Sequence, residues 1–309
     1  MTRGNQPVPR LLSIVRNVHH LIASCPVEST TRMERSLEGL ATDGSASSQG
    51  LLGVLVATMA WACRCDPPFP GSDPNDRRPD LVLEILRAIY ALGACVRTEP
   101  SGDITTHIGI ILCELLRYPS ADERLYEIKL AVVSLLLNAP REYGAYLSNN
   151  GGIEALVEIM EYQTSLVVVE RTSSFAEDAA AVVPILLVLL RLVGIHESIL
   201  KVVKEAVFPP ELEIEFDRMA ADEIGKGRSE GKVNAKNMAP LDAPQGTLRY
   251  RLIRLMTWTE SSVKRSACEL LWALCDGNST QFVLRTGFGN AIHFLGMKGC
   301  VNLPAGVET

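Results

Sequence analysis

Apolar residues recur every three or four positions from one end of this chain to the other, and that period constrains its fold more than any other feature. Leu11, Leu12, Val15, Val18 and Ile22 share one helical face, as do Leu81, Ile85, Ile89 and Leu92. Ile104, Ile108, Ile111, Leu112 and Leu115 follow, with Asp103 placed to cap that helix. Leu125, Ile128, Val132 and Leu135 form the next face; then come Ile153, Leu156, Val157 and Met160, and the oily run Ala179 to Val193. The one β-branched run, Leu166 to Val169, has no alternating partner and reads as a strand, a helix end or an extended loop. With 47% hydrophobic but only 6% aromatic residues, the core is built from Leu, Val, Ile and Ala, which suits packed helices.

A weak internal repeat organises these helices. GGIEALVEIM begins at Gly151, LIRLM at Leu252 leads into VKRSACELLWALCDGNS, and RTGFGNAIHFLG closes the series. The common order is a glycine turn, a short apolar helix, a polar corner and a longer helix. It resembles the armadillo repeat, whose units cover one another's apolar faces by stacking. The expected fold is therefore all-α, an armadillo/HEAT-type right-handed superhelix, with residues 1–309 as one solenoid. Flexible loops are expected near 41–50, 66–80 and 208–245, where small, polar, Pro and Gly residues gather.

Bond chemistry finds little support. His19, His20, His107, His196 and His293 show no metal-ligand spacing. GKGRSEG at Gly225 fits neither phosphate-binding pattern, and no G-x-S-x-G elbow occurs. Asp122-Glu123 and Asp222-Glu223 read as solvated surface. The eight cysteines lie mostly in apolar runs and read as reduced, buried small hydrophobes; Cys63-x-Cys65 lacks a second ligand pair for zinc. No catalytic residue, cofactor or metal is expected. A net charge of -6 argues against nucleic acid as a partner. Leu51 to Cys63 and Ala179 to Leu190 are too short to span a bilayer, and the N-terminus has no apolar signal region.

One charged cluster stands out. Arg249, Arg251, Arg254, Lys264 and Arg265 surround one expected helix pair. They form either a solvated face or a groove wall for an acidic or C-terminal segment of a partner. On the helix from Val263 to Cys275, Arg265, Glu269, Trp272 and Asp276 share a stripe. Trp272 is either a binding anchor or core packing between repeats.

GTLRYRLIRLMTWTESSVKRSACELLWALC (Gly246 to Cys275) and FVLRTGFGNAIHFLG (Phe282 to Gly296) resemble the late armadillo segment of the synembryn family. Phe208-Pro209-Pro210, the long insertion after it and Pro244 fit the same pattern, so the match runs over about Val207 to Gly296. The resemblance implies a guanine-nucleotide exchange factor and folding chaperone for heterotrimeric G-protein α subunits (Gα). It implies a concave groove that holds the C-terminal helix of Gα. Arg249, Arg254, Lys264 and Glu269 match family positions in the motif; with Arg265 and Trp272 they make the expected partner-binding set. Family members are longer, so a partial chain is expected, without the first repeats and the acidic tail. The expected protein is a cytoplasmic monomer, brought to the plasma membrane by its partner. A generic armadillo scaffold is the alternative.

Overall fold

The computed structural model describes residues 7–24, 51–64, 69, 75–95, 102–119, 122–170, 175–210 and 246–300. The loop expected at 41–50, most of that at 66–80 and all but the first residues of that at 208–245 lie outside the described residues. The helices are α1 Pro7–Ser24, α2 Leu51–Arg64, α3 Arg78–Cys95, α4 Gly102–Leu116 and α5 Glu123–Leu136. Then come α6 Tyr143–Asn149, α7 Gly152–Ser165, α8 Phe175–Val193 and α9 Glu197–Val207. The last four are α10 Leu248–Met256, α11 Ser261–Leu274, α12 Ser279–Thr286 and α13 Phe288–Met297. No strand occurs among the described residues.

One alternative left open by the sequence is resolved, and one expected cap changes. The run Leu166–Val169 belongs to a π-helical turn, Leu166–Glu170, that continues α7. Val167 there is buried while Val169 faces solvent, so the β-branched side chains serve a helix end. Asp103 lies inside the first turn of α4, one residue after the helix starts at Gly102, and not at its cap. The two oily runs are α2 and the middle of α8, which continues through Pro184; no described helix is long and apolar enough to cross a membrane.

The chain divides into two compact units, Met1–Ala155 and Leu156–Thr309, with the boundary inside α7. In the first unit the helices form two rows. One row runs α1, α3, α5 and the other α2, α4, α6, with α2 against α3 and α4 against α5. The period of the sequence explains the rows: α3 buries Leu81, Val82, Ile85, Leu86 and Ile89, too wide an apolar surface for one neighbour to cover. Close approach of α4 and α6 needs Gly109, where a Cβ would come within 3.2 Å of the Tyr143 and Tyr146 rings. Thr106 Oγ1 and Tyr146 OH share a 2.8 Å hydrogen bond across the same contact.

Ion pairs fix the registry of the first row. Glu84 on α3 is only 9% exposed and meets Arg16 of α1 at 3.6 Å and Arg87 at 3.1 Å. Arg124 of α5 donates to Asp80 of α3 at 2.9 Å and to the Asp76 carbonyl at 3.1 Å. Partial burial pushes the Asp76 and Asp80 carboxyls up, but the arginines outweigh it. Hydrogen bonds from Arg78 and the charges of Arg78 and Arg124 hold Asp76 below its ordinary value; Arg124 and Arg77 do the same for Asp80.

In the second unit α8 packs along α11, α9 covers both, and α10 lies against α9 and α11. α12 adds to α11, and α13 to α12. The cysteines follow the expectation of burial at four positions and depart from it at Cys300. Cys63, Cys113, Cys268 and Cys275 are buried and Cys300 is exposed, and none of the five forms a disulfide. Burial pushes the Cys268 thiol up to about 12, which keeps it protonated and inert.

A folded-state carboxyl pKa below the unfolded value contributes stability that is whole above the unfolded pKa and is lost as pH falls through the folded one. Thermal unfolding followed from pH 7 to pH 2 should therefore show a loss of stability beginning near the unperturbed aspartate value of 3.8. In Asp76→Asn and Asp80→Asn the melting temperature should be lower at pH 7 and should fall less on acidification.

Candidate functional site

The basic cluster resolves into two groups with opposite surroundings. Thr247 caps the N-terminus of α10, its Oγ1 accepting from the Tyr250 N–H at 3.2 Å. Seven of its nine residues are buried, including two arginines, because α9, α11 and the π-helical turn surround it. Arg249 is 5% exposed. Its Nε and Nη2 donate to the Arg285 carbonyl at 3.1 and 2.9 Å. That carbonyl lies in the last turn of α12, where helix carbonyls lack an intrahelical partner and a cation is favoured. The guanidinium carbons of Arg249 and Arg285 sit 5.7 and 5.1 Å from the Phe208 ring centre, so one buried ring serves two cations.

Arg251, 9% exposed, donates through Nη1 to the Gly246 carbonyl at 2.8 Å. Its Nε is buried without a hydrogen-bond partner. Burial lowers its pKa, and the charge of Glu161 opposes that shift. Arg249 and Arg251 thus hold the fold together from inside. Arg254, on the same short helix, is exposed and has no ion pair among the described residues.

α11 carries the other group. It buries Val263, Ser266, Ala267, Cys268, Leu270, Leu271 and Leu274 and leaves one narrow side open. On that side stand Arg265, exposed, and Glu269 and Trp272, half-buried. Lys264, also half-buried, sits beside them. Arg265, Glu269 and Trp272 thus share one side of the helix while Asp276 leaves it, and both acids of the expected stripe are occupied. Glu269 binds Lys298 at 2.9 Å, and Asp276, beyond the helix end, binds Lys204 of α9 at 2.7 Å. Lys298 Nζ also lies 5.2 Å from the Phe294 ring centre. Lys264 and Arg265 have no ion pair among the described residues, so the open side is left with a basic surplus.

Trp272 is both wall and surface. Its ring meets Phe282 and Phe294 edge-on, with centroids 5.5 and 6.0 Å away, and the two phenylalanines lie 5.5 Å apart. Phe282 and Phe294 are buried, so Trp272 closes an aromatic core between α11, α12 and α13 and leaves part of the indole in solvent. The RTGFGNA segment builds the corner beneath it. Gly287 has φ +88, a left-handed conformation that favours glycine. Buried Thr286 donates from its hydroxyl to the Phe282 carbonyl at 2.7 Å, and the Asn290 amide donates to the Thr286 carbonyl at 2.8 Å.

Sequence reading missed the two lysines, Lys204 and Lys298. Neither is near α11 in sequence, and no spacing rule joins them to it. It also put Arg249 on the groove wall, because an arginine on a short helix looks solvated until its neighbours are known. Among the described residues no group of three or more His, Cys, Asp or Glu could hold a metal ion.

Residues 238–307 match the family model described as guanine nucleotide exchange factor synembryn, and that span contains α10 to α13. The chain is also similar to proteins named Chaperone Ric-8A. It is 25% identical to the Xenopus tropicalis protein over 300 residues, covering 90% of this chain and 49% of that one. It is 26% identical to the Bos taurus protein over 271 residues, covering 81% of this chain and 45% of that one. The chain thus spans about half the length of these relatives.

The two arginine environments separate in a stability measurement. Arg249→Ala leaves the α12 carbonyl without its donor and the Phe208 ring with one cation of two, and should cost about 1–3 kcal/mol in denaturant unfolding. Arg265→Ala should stay within about 0.5 kcal/mol of the wild type.

Proposed function

We propose that this chain, a relative of the synembryn family, binds heterotrimeric G-protein α subunits as a guanine-nucleotide exchange factor and folding chaperone. The match over residues 238–307 carries the reading, because those residues also build the open side of α11 and its aromatic wall. The chain's kinship to chaperones over most of its length points the same way.

In this reading the helix rows are turns of one armadillo/HEAT-type right-handed superhelix, and the open side of α11 lies in its concave groove. A partner segment with carboxylates would meet Arg265 and Lys264. Arg254 adds a cation from α10, and the exposed part of Trp272 offers an apolar anchor. Glu269 acts by holding Lys298 in place, so that the lysine head stays beside the aromatic wall. Arg249 contributes from behind by fixing α10 against α12. No acid, base, cofactor or metal takes part. Exchange follows when the protein binds nucleotide-free Gα more tightly than loaded Gα, since only differential affinity moves that equilibrium. A 100-fold shift takes about 2.7 kcal/mol of such difference. The protein acts as a monomer in the cytoplasm, reaches the membrane face through its partner, and has no nucleic-acid role.

Release of labelled GDP from purified Gα tests the exchange reading directly. The wild-type chain should accelerate release. Arg254→Glu with Arg265→Glu should weaken Gα capture by about tenfold or more without lowering the melting temperature. A release rate that the protein does not change, together with no gain in the yield of folded Gα, would overturn both activities. Unchanged capture by the double variant would remove the α10–α11 surface from the binding site.

A further inference from the structure

The sequence holds one Asn-Gly step, Asn150–Gly151, and two Asp-Gly steps, Asp43–Gly44 and Asp276–Gly277. Such a step can close a five-membered imide ring, because a glycine leaves the following main-chain nitrogen unshielded. Closure needs the peptide plane between the two residues to turn until that nitrogen lies over the side-chain carbonyl carbon, Cγ. What the turn would break therefore decides which step reacts in the folded chain. Asp43 and Gly44 lie outside the described residues.

Asp276–Gly277 is held. It ends α11 in a Schellman arrangement: the Gly277 N–H donates to the Trp272 carbonyl at 3.1 Å, and the Asp276 N–H to the Ala273 carbonyl at 3.0 Å. Lys204 binds the Asp276 carboxylate at 2.7 Å. Asn150–Gly151, the corner between α6 and α7, is not held in this way. Among the described residues neither the Gly151 N–H nor the Asn150 carbonyl makes a hydrogen bond. Gly151 has φ +72, and a Cβ built there would meet nothing within 4 Å. Asn150 is exposed. One restraint remains, the side-chain amide, whose Nδ2 donates to the Tyr146 carbonyl at 2.7 Å.

We propose that Asn150 is a site of spontaneous deamidation, converted through a cyclic imide with Gly151 to aspartate and isoaspartate. The Gly151 nitrogen bonds to Asn150 Cγ, the Cγ–Nδ2 bond breaks, and Nδ2 leaves as ammonia with the proton that the Gly151 nitrogen gives up. Water then opens the imide. Opening at Cγ gives aspartate. Opening at the main-chain carbonyl gives isoaspartate, whose main chain runs through Cβ and Cγ. The net change is amide plus water to carboxyl plus ammonia, so no oxidant or reductant enters.

Either product lacks the amide donor that the Tyr146 carbonyl now has. Tyr146 packs against Gly109 and shares a hydrogen bond with Thr106, so this corner braces the contact between α4 and α6. The corner has little room for a longer main chain: a Cβ at Gly152 would come within 2.6 Å of a Leu147 methyl and 3.1 Å of Leu147 Cα. Deamidation therefore loosens the α4–α6 contact irreversibly as the protein ages.

The proposal is independent of the Gα reading, since its assay contains no Gα. The purified full chain is held at neutral pH and body temperature and followed by intact mass and peptide mapping. Protein isoaspartyl methyltransferase with labelled S-adenosylmethionine marks the isoaspartate. The mass should rise by the difference between an amide and a carboxyl group, and the change should map to residue 150. Relative to the same chain unfolded in urea, folding should slow isomerisation at Asp276 at least ~10-fold more than it slows deamidation at Asn150. Asn150→Gln, whose ring closure would need an unfavourable extra atom, should abolish the change at that position. Asn150→Asp, which supplies one product outright, should melt below the wild type. No change at residue 150 in the native chain, equal protection of the two steps, or a mass change undiminished in Asn150→Gln would overturn the site. Wild-type melting of both Asn150→Asp and the separated isoaspartate fraction would overturn the effect on the α4–α6 contact.

Discussion

A helix of fourteen to nineteen residues, apolar on two or three sides, cannot shield itself, and every other feature of this protein follows from that. α8 shows the problem: Val182, Ile185, Leu186, Val188, Leu189, Leu192 and Val193 point in too many directions for one partner. α9 and α11 together cover them. α11 in turn needs α8, α10 and α12. Burial of each Leu, Ile or Val is worth about 1.5–3 kcal/mol, so a helix lacking its neighbours would leave most of its stabilisation in water. The same need makes rows in the first unit, where α3 lies between α1 and α5.

Polar groups then decide which neighbour sits where. Hydrophobic contact is tolerant of sliding, and ion pairs at the edges of the rows are not. Glu84 reaches Arg16, and Arg124 reaches Asp80, each joining two helices of one row. In the second unit the buried guanidinium of Arg249 does this by binding the last turn of α12, and Lys298 and Lys204 do it at the middle of α11 and just past its C-terminal end. The function proposed for α11 rests on this division of labour. Its acids are already matched by lysines of the fold, so the charges left for a partner are basic.

The aromatic wall joins the two roles. Trp272 packs against Phe282 and Phe294 and still shows part of its ring, because it stands at the rim of that aromatic core. The sequence presented core and anchor as alternatives for Trp272. A wide amphipathic ring at the edge of a core is able to be both.

The sequence alone determined that the chain is helical, where most helices run, and which side of each is apolar, since a 3.6-residue period is a local property. It also determined the corner at Thr286 to Asn290, whose hydrogen bonds link residues only four apart. It left the run Leu166 to Val169 open, because β-branched residues fit a strand or a helix end equally until a neighbour is present. Only the tertiary structure decided which arginines are inside. Arg249 and Arg254 are five residues apart on one helix and look alike in sequence. One meets a helix end and a phenylalanine from segments far along the chain, and the other meets solvent. Arginine tolerates both fates, because its stem is apolar and its head needs only acceptors. Where those acceptors lie is a matter of which helices become neighbours, and local spacing carries no record of that.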